Sequence, residues 1–243
     1  MEQTDSLWNG YRRLDFTFMD KPAILVCPNE PRKDGKWLFK TEYFGAFPAF
    51  ELAMLERGYY VANLKNTTRW CLPEDTARQA AFCGFLHEQF GLAEQCMPVG
   101  MSCGGMQAVY LAGKHPELVA ALYLDAPVMN LLSCPCGVGR GEGGRMYEEM
   151  VNSTGWTVSR LINDRNQPID YADRLIQSRI PLALICGAAD TVVPYAENGM
   201  VLAEKYRASG VPFWEVVKPD CDHHPHGPES LDGLLAFAEK YYG

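Results

Sequence analysis

Gly100-Met101-Ser102-Cys103-Gly104 lies between a short apolar run and a segment of helical character. A Gly-x-Ser-x-Gly at a strand-to-helix junction demands a very sharp turn. The serine then takes a strained backbone conformation and its hydroxyl stands above the sheet edge. Side chains at 100 or 104 would collide at such a turn, and Gly105 leaves room for the helix to pack. The turn also sets Ser102 at a helix N-terminus, where free N–H groups can meet developing negative charge. On its own the motif also fits a glycine-rich turn with an idle serine, so the surrounding elements have to decide.

Working outward, 96–100 reads as the strand that feeds Ser102 and 106–115 as the helix behind it, closed by Pro116. Towards the N-terminus, 15–19 and 23–27 read as a strand pair turning at Asp20-Lys21-Pro22. A long polar loop follows, from Pro28 to about Lys40. The pattern then predicts a helix over 46–57, a strand over 59–64 and a helix over 73–90. That last helix has Pro73 at its start, Glu74 and Asp75 in its first turn and Gly91 at its end. Towards the C-terminus, 120–124 and 181–186 are near-continuously apolar, as strands covered on both faces are. A helix over 194–209, a strand over 213–217 and a helix over 228–241 complete the chain. Strands and helices alternate from residue 46 onward. The expected class is α/β, with a mostly parallel central sheet, helices on both faces and an antiparallel start.

Residues 130–178 break this alternation. They open on Cys134-Pro135-Cys136 and a glycine-rich run, then place Met146, Tyr147, Met150 and Trp156 at roughly helical spacing. An excursion at the carboxyl end of a strand suits a lid or substrate wall. A packing helix with its aromatics in the core is the alternative. The expected organisation is one domain over 1–243 carrying this lid-like insertion.

A serine hydroxyl needs a base, and the base needs an orienting carboxylate. Asp190 follows the 181–186 strand, and Cys221-Asp222-His223-His224-Pro225-His226 follows the 213–217 strand. The order Ser, Asp, His is the one this architecture requires. His223 comes first after its loop and is the candidate base; His224 and His226 read as loop-fixing or rim residues. Asp125 also ends a strand and rivals Asp190, or serves as a structural acceptor. Asp190 is favoured because Thr191-Val192-Val193-Pro194 turns directly into a helix. A metal site is set aside, since His-His-x-His lacks the i,i+4 spacing and no carboxylate motif accompanies it. The N–H of Cys103 is one expected oxyanion donor. The other is expected from the loop after 23–27. Pro28 and Pro31 have no N–H there, which leaves Asn29 or Glu30.

With 243 residues, 47% apolar and 21% charged, the chain has the composition of a globular protein that can bury a full core. A net charge of −8 speaks against nucleic acid or an anionic membrane as partner. No apolar run reaches the ~18 residues that span a bilayer. The acidic, polar start Met1-Glu2-Gln3-Thr4-Asp5 does not read as a secretory signal. The odd count of nine cysteines, several in apolar stretches, fits buried thiols in a reducing cytosol, so a cytoplasmic location is expected.

The stretches 100–105, 187–194 and 221–227 resemble those of the α/β-hydrolase superfamily, and the likeness runs from residue 11 to 241. More narrowly, the chain is similar to bacterial, gut-type α/β-hydrolases grouped with carbohydrate or glycan esterases. In those, the aspartate loop recurs with a His-His-Pro-His stretch, and the loop after the first core strand is aromatic and basic. Here that loop carries Lys36-Trp37-Leu38-Phe39-Lys40. The group usually has arginine where Lys40 stands, and a lysine cannot reproduce a bidentate guanidinium clamp. The resemblance implies a serine ester hydrolase that uses no metal or organic cofactor.

The expected reaction is cleavage of a carboxylic ester through an acyl-enzyme, on a small molecule or an acylated oligosaccharide. Trp37, Lys40, Tyr147, Trp156 and His224 are the expected substrate contacts. A peptidase or dienelactone-type hydrolase on the same scaffold is the rival enzyme reading, and an inactive ligand-binding homologue the non-enzyme one. Oligomeric state is left open.

Overall fold

In the computed structural model, which describes residues 3–243, the apolar runs become the centre of a nine-stranded sheet. β1 (Gln3–Trp8), β2 (Tyr11–Phe18) and β3 (Lys21–Cys27) form an antiparallel meander at one edge. The remaining strands are β4 (Trp37–Lys40), β5 (Tyr60–Leu64), β6 (Met97–Met101), β7 (Leu122–Asp125), β8 (Leu182–Gly187) and β9 (Phe213–Lys218). Their order across the sheet is β1-β2-β3-β5-β4-β6-β7-β8-β9. β3 meets β5 antiparallel, and every pairing from β5 to β9 is parallel. This is the α/β-hydrolase fold.

The helices are α1 (Ala49–Glu56), α2 (Pro73–Phe90), α3 (Cys103–Lys114), α4 (Arg145–Thr154), α5 (Val158–Leu161), α6 (Ala172–Gln177), α7 (Gly199–Ser209) and α8 (Asp232–Tyr242). Period-two alternation assigns each strand residue to one of two cores. Ala183 and Ile185 of β8 face a layer built by α1 and α8, through Phe50, Met54, Leu234 and Phe237. Leu182 and Leu184 face the layer of α2, α3, α6 and α7, through Phe82, Leu111, Leu175 and Leu202. Each fully buried Leu or Phe contributes roughly 1.5–3 kcal/mol of hydrophobic free energy, so the sheet is clamped from both sides.

Four features depart from the sequence reading. β1 is mostly exposed and polar, so no apolar alternation announces it; pairing with β2 and the Arg12–Asp5 ion pair hold it. β4 lies inside the stretch expected to be loop. It has four residues, all buried, and ends on a buried lysine, so polarity hid a central strand. The β2–β3 turn is the two-residue Met19-Asp20, both at positive φ (47° and 62°), and Pro22 sits within β3. The helix expected over 194–209 is a short 3₁₀ turn (Tyr195–Glu197) followed by α7. Asn198 breaks it, with its side-chain amide donating to Pro194 O and its carbonyl oxygen accepting from the main-chain N–H groups of Met129 and Asn130.

Between β7 and β8 the chain leaves the sheet, forms α4 and α5, and returns through a 3₁₀ turn (Pro168–Tyr171) into α6. Ala172 and Leu175 of α6 already belong to the main core. The true excursion therefore ends before it. Met150 of α4 and Leu161 of α5 close a third cluster over Trp70, Met106, Tyr110 and Val193. Among the described residues, no helix is long and apolar enough to cross a membrane.

Candidate active site

Ser102 stands between β6 and α3 with φ 53° and ψ −120°, a conformation that costs a residue with a Cβ roughly 1–3 kcal/mol. Two contacts from the end of β7 and the segment just beyond it hold it there. Its N–H donates to Asp125 O at 2.9 Å, and its carbonyl oxygen accepts from Val128 N–H at 3.1 Å. Gly100 is required by the turn itself, because a Cβ there would stand 2.4 Å from Gly104 O. Gly104 has a different reason. A Cβ there would press on Thr41 and Glu42 at 3.2 Å, the loop that follows β4.

The carboxyl ends of β8 and β9 bring the partners to this rim. His223 Nε2 lies 3.1 Å from Ser102 Oγ, and His223 Nδ1–H donates to Asp190 Oδ2 at 2.8 Å. The other oxygen of Asp190 accepts the N–H groups of Val192 (2.9 Å) and Val193 (2.7 Å), which fixes the carboxylate. Asp222 joins the two loops by accepting from the N–H groups of Thr191 and His223, each at 2.8 Å. His223 and Asp190 are 8% and 5% exposed, so their interaction is weakly screened. The carboxylate selects the ring tautomer with a lone pair on Nε2, facing the hydroxyl.

A second aspartate–histidine pair lies alongside. His226 Nδ1–H donates to Asp125 Oδ1 at 2.6 Å, while Asp125 Oδ2 accepts from Gly227 N–H (2.7 Å) and Tyr123 Oη (3.1 Å). Asp125 is thus a structural acceptor, and it grips the turn at Ser102 through its own carbonyl as well. His224 is stacked on Phe47 with ring centroids 5.7 Å apart. Burial, then the neighbouring His226 and His223, hold its pKa below the usual imidazole value.

The hydroxyl opens on a cleft of about 390 Å³ whose walls are mainly apolar: Tyr43, Phe47, Met101, Met146 and Val192. Glu142 and Arg69 add charge at its edge, and Arg69 Nε is paired with Glu149 at 2.8 Å. Burial in the third cluster raises the Cys103 thiol to about 11, so it is a core thiol and not a competing nucleophile.

Several expected contacts lie elsewhere. Trp37 is fully buried at the start of β4, far along the strand from Ser102, and its indole N–H donates to Ala93 O at 2.9 Å. Lys40 is also buried. Its ammonium is held by Glu51 (2.5 Å) and Ala46 O (3.3 Å) beneath Met101, so it anchors the fold and no substrate. Tyr147 packs into the third cluster, where its hydroxyl accepts from Val158 N–H. Trp156 borders a separate hollow with Tyr110 and Arg160. Met146, one residue from Tyr147, is what faces the cleft; only His224 of the five expected contacts lines it.

The expectation of an oxyanion donor at Asn29 or Glu30 also fails. β3 runs antiparallel to β5, so its carboxyl end reaches the opposite edge of the sheet from Ser102. There Arg32 N–H donates to Gly58 O, just before β5. The loop that lies against Ser102 is 41–43, after the overlooked β4. Thr41 Oγ1 donates to Gly104 O at 2.7 Å, and Tyr43 takes φ 53° at the cleft wall. Gln107 Nε2 donates to Glu42 Oε2, and Asn66 Nδ2 to Gln107 Oε1, each at 2.8 Å, bracing this loop from α3. Cys103 opens α3, so its N–H is one of the helix's unpartnered donors. Finding Tyr43 in the sequence required first recognising 37–40 as a strand.

A sequence profile of the prolyl oligopeptidase family matches residues 76–243. No curated protein matches the chain in sequence. Among solved structures, the acylaminoacyl peptidase of Pyrococcus horikoshii is similar with a TM-score of 0.68 at 15% identity, over 88% of this chain and 37% of that one. Porphyromonas gingivalis dipeptidyl peptidase 4 gives 0.68 at 16%, over 98% and 35%. A puromycin hydrolase gives 0.70 at 18%, over 98% and 39%. The chain therefore spans 35% to 39% of the length of these three proteins, and at such identities the likeness concerns the fold.

Proposed function

The chain belongs to the prolyl oligopeptidase family, and from that membership we propose that it is a serine peptidase cleaving peptide or amide bonds of small substrates through an acyl-enzyme. The observation that carries the reading is the unbroken hydrogen-bond sequence Ser102–His223–Asp190 opening on the cleft. The family match goes to peptidases and away from the glycan esterases to which the motifs were likened, so peptide chemistry displaces ester chemistry as the main reading.

In this mechanism Ser102 Oγ attacks the scissile carbonyl while His223 Nε2 takes its proton. Asp190 keeps the ring oriented and stabilises the imidazolium. The oxyanion is held by Cys103 N–H and by a donor of the 41–43 loop. Each such donor is worth about 3 kcal/mol of barrier, which gives the bracing of that loop a catalytic purpose. His223 then delivers the proton to the leaving amine, and water deacylates Ser102 with the same ring as base. The apolar cleft is of a size to take one side chain or a short acyl group.

The test is a panel of aminoacyl and dipeptidyl p-nitroanilides beside p-nitrophenyl acetate, with wild type and Ser102→Ala. The proposal expects both classes to be hydrolysed by wild type and neither by the variant. Ester turnover without any anilide turnover would return the reading to an esterase. Turnover by the variant would remove Ser102 from the mechanism.

A further inference from the structure

We propose that His223, His224 and His226 form a binding site for a divalent transition-metal ion, zinc foremost, whose occupation withdraws the base from Ser102. The three imidazoles converge at the cleft mouth, with one ligand atom from each lying within 4.8 Å of the others. Their ring centroids are 4.8–5.1 Å apart and the planes meet at 65–90°, so the rings converge edge to face and do not stack.

Histidines that ligate metals almost always donate their other ring N–H to a carboxylate or carbonyl, which fixes the tautomer and makes the ligating nitrogen more basic. Two of these three already do so. His223 Nδ1–H is held by Asp190 and His226 Nδ1–H by Asp125, and both carboxylates are at least 95% buried. Both rings therefore keep the Nε2 lone pair free of their carboxylates. In the sequence, no carboxylate motif accompanies the His-His-x-His run, and the adjacent Asp222 is taken up by main-chain N–H groups. The fold supplies the carboxylates from β7 and from the loop after β8, about a hundred and about thirty residues away in the chain. Three neutral nitrogens select zinc, copper or nickel over magnesium or calcium, which prefer oxygen.

Zinc–nitrogen bonds of about 2.05 Å in a tetrahedron put ligand atoms about 3.4 Å apart, so the cluster has to contract on binding. His224 is the ring without a carboxylate partner and sits partly exposed on Phe47, free to make that adjustment. The ion would complete its shell with water. Binding needs no redox partner. The lone pair on His223 Nε2 turns from the Ser102 hydroxyl to the metal, and the proton stays on Oγ. Three-coordinate nitrogen sites of this kind elsewhere activate water; here the ligand is the base itself, so the result is inhibition.

The inhibitory half rests on the serine-hydrolase reading, whereas metal binding does not. Calorimetric titration of the whole chain with zinc chloride, backed by competition with a chromophoric chelator, reads binding. The rate of fluorophosphonate labelling of Ser102, with and without zinc, reads inhibition. The proposal expects one ion per chain. It expects affinity to fall at least tenfold in His224→Ala and ten- to a hundredfold in Asp125→Asn. The double variant of the two remote histidines, His87→Ala with His115→Ala, should bind as wild type does, and so should Cys221→Ser, the half-exposed thiol beside the loop. Zinc should slow labelling in wild type and, relative to its own zinc-free rate, not in His224→Ala.

Equal affinity in wild type and His224→Ala, or loss of binding in Cys221→Ser, would overturn the site. Binding that depends on His224 without slowed labelling would overturn the inhibition alone. Failure of wild type to label without zinc would strike the serine-hydrolase reading, with the metal result still standing. Thermal melts of each variant separate lost binding from lost fold.

Discussion

Asp190 and Asp125 end neighbouring parallel strands or the loops just beyond them, and each holds the Nδ1–H of a histidine from one six-residue stretch. The two pairs are almost alike in length, 2.8 and 2.6 Å, and both are buried. They differ at the far side of the ring. His223 Nε2 reaches Ser102 Oγ, and His226 makes no contact with that hydroxyl. They differ also in what the carboxylate's second oxygen does. In Asp190 it accepts two N–H groups of its own loop; in Asp125 it accepts Gly227 N–H and the Tyr123 hydroxyl. Proximity and charge do not make a carboxylate catalytic. The ring it orients must carry the proton that moves. Asp125 instead ties the histidine loop to the nucleophile turn, by side chain to His226 and by main chain to Ser102 N–H.

The largest expected effect removes the atom for which the two pairs would compete. Ser102→Ala should lower kcat on any cleaved substrate about 10⁶-fold with an unchanged melting temperature; a modest loss would mean neither pair serves this hydroxyl. Asp190→Asn keeps the shape but offers an amide N–H where Nδ1–H pointed, so the ring can turn to the wrong tautomer. A fall of about 10⁴-fold in kcat is expected, with little change in KM. Asp125→Asn should cost ten- to a hundredfold, together with a lower melting temperature, because it loosens the loop and leaves the base itself intact. Equal losses at the two aspartates would erase the distinction drawn here, and a larger loss at Asp125 would reverse it.

The hydrogen-bonded set Ser102, His223 and Asp190, to which the proposed mechanism gives the roles of nucleophile, base and acid, was legible in the sequence because each follows a strand whose apolar run is unmistakable: Val99, Leu184 and Val216 lie in such runs. The order of the three residues then had one arrangement to satisfy. The walls were not legible for the converse reason. β4 is four residues long, follows one lysine and ends on another, and Lys40 is made tolerable in the interior by Glu51, eleven positions later, and by Ala46 O. Missing that strand shifted the expected oxyanion loop from 41–43 to 28–30, on the wrong end of the sheet. It also turned two interior residues, Trp37 and Lys40, into substrate contacts. Helical spacing around Met146 and Tyr147 located α4 but not its rotation, and one residue decides which of them meets the cleft. The role of His226 as a loop-fixing residue was readable; that Asp125 does the fixing needed the fold.

The smallest predicted effect is the sharpest test of what Asp125 is for. Tyr123 is buried against Phe50, with centroids 5.2 Å apart, and its hydroxyl donates to Asp125 Oδ2. Burial, and then the charge of Asp125, push its phenol well above the usual value, so it is a neutral donor throughout the working range. Tyr123→Phe keeps the ring in place and removes one of three hydrogen bonds to the carboxylate; Gly227 and His226 remain. The loss should be about 1.5 kcal/mol of stability, a fall of about 3–6 °C in a melt. Activity should stay within about threefold of wild type. If Asp125 acts by tethering the loop, two remaining donors suffice and the rate barely moves. If Tyr123→Phe instead slows turnover as much as Asp125→Asn does, the charge distribution on that carboxylate matters to the chemistry. The second pair would then have to be counted with the first as part of the reacting machinery.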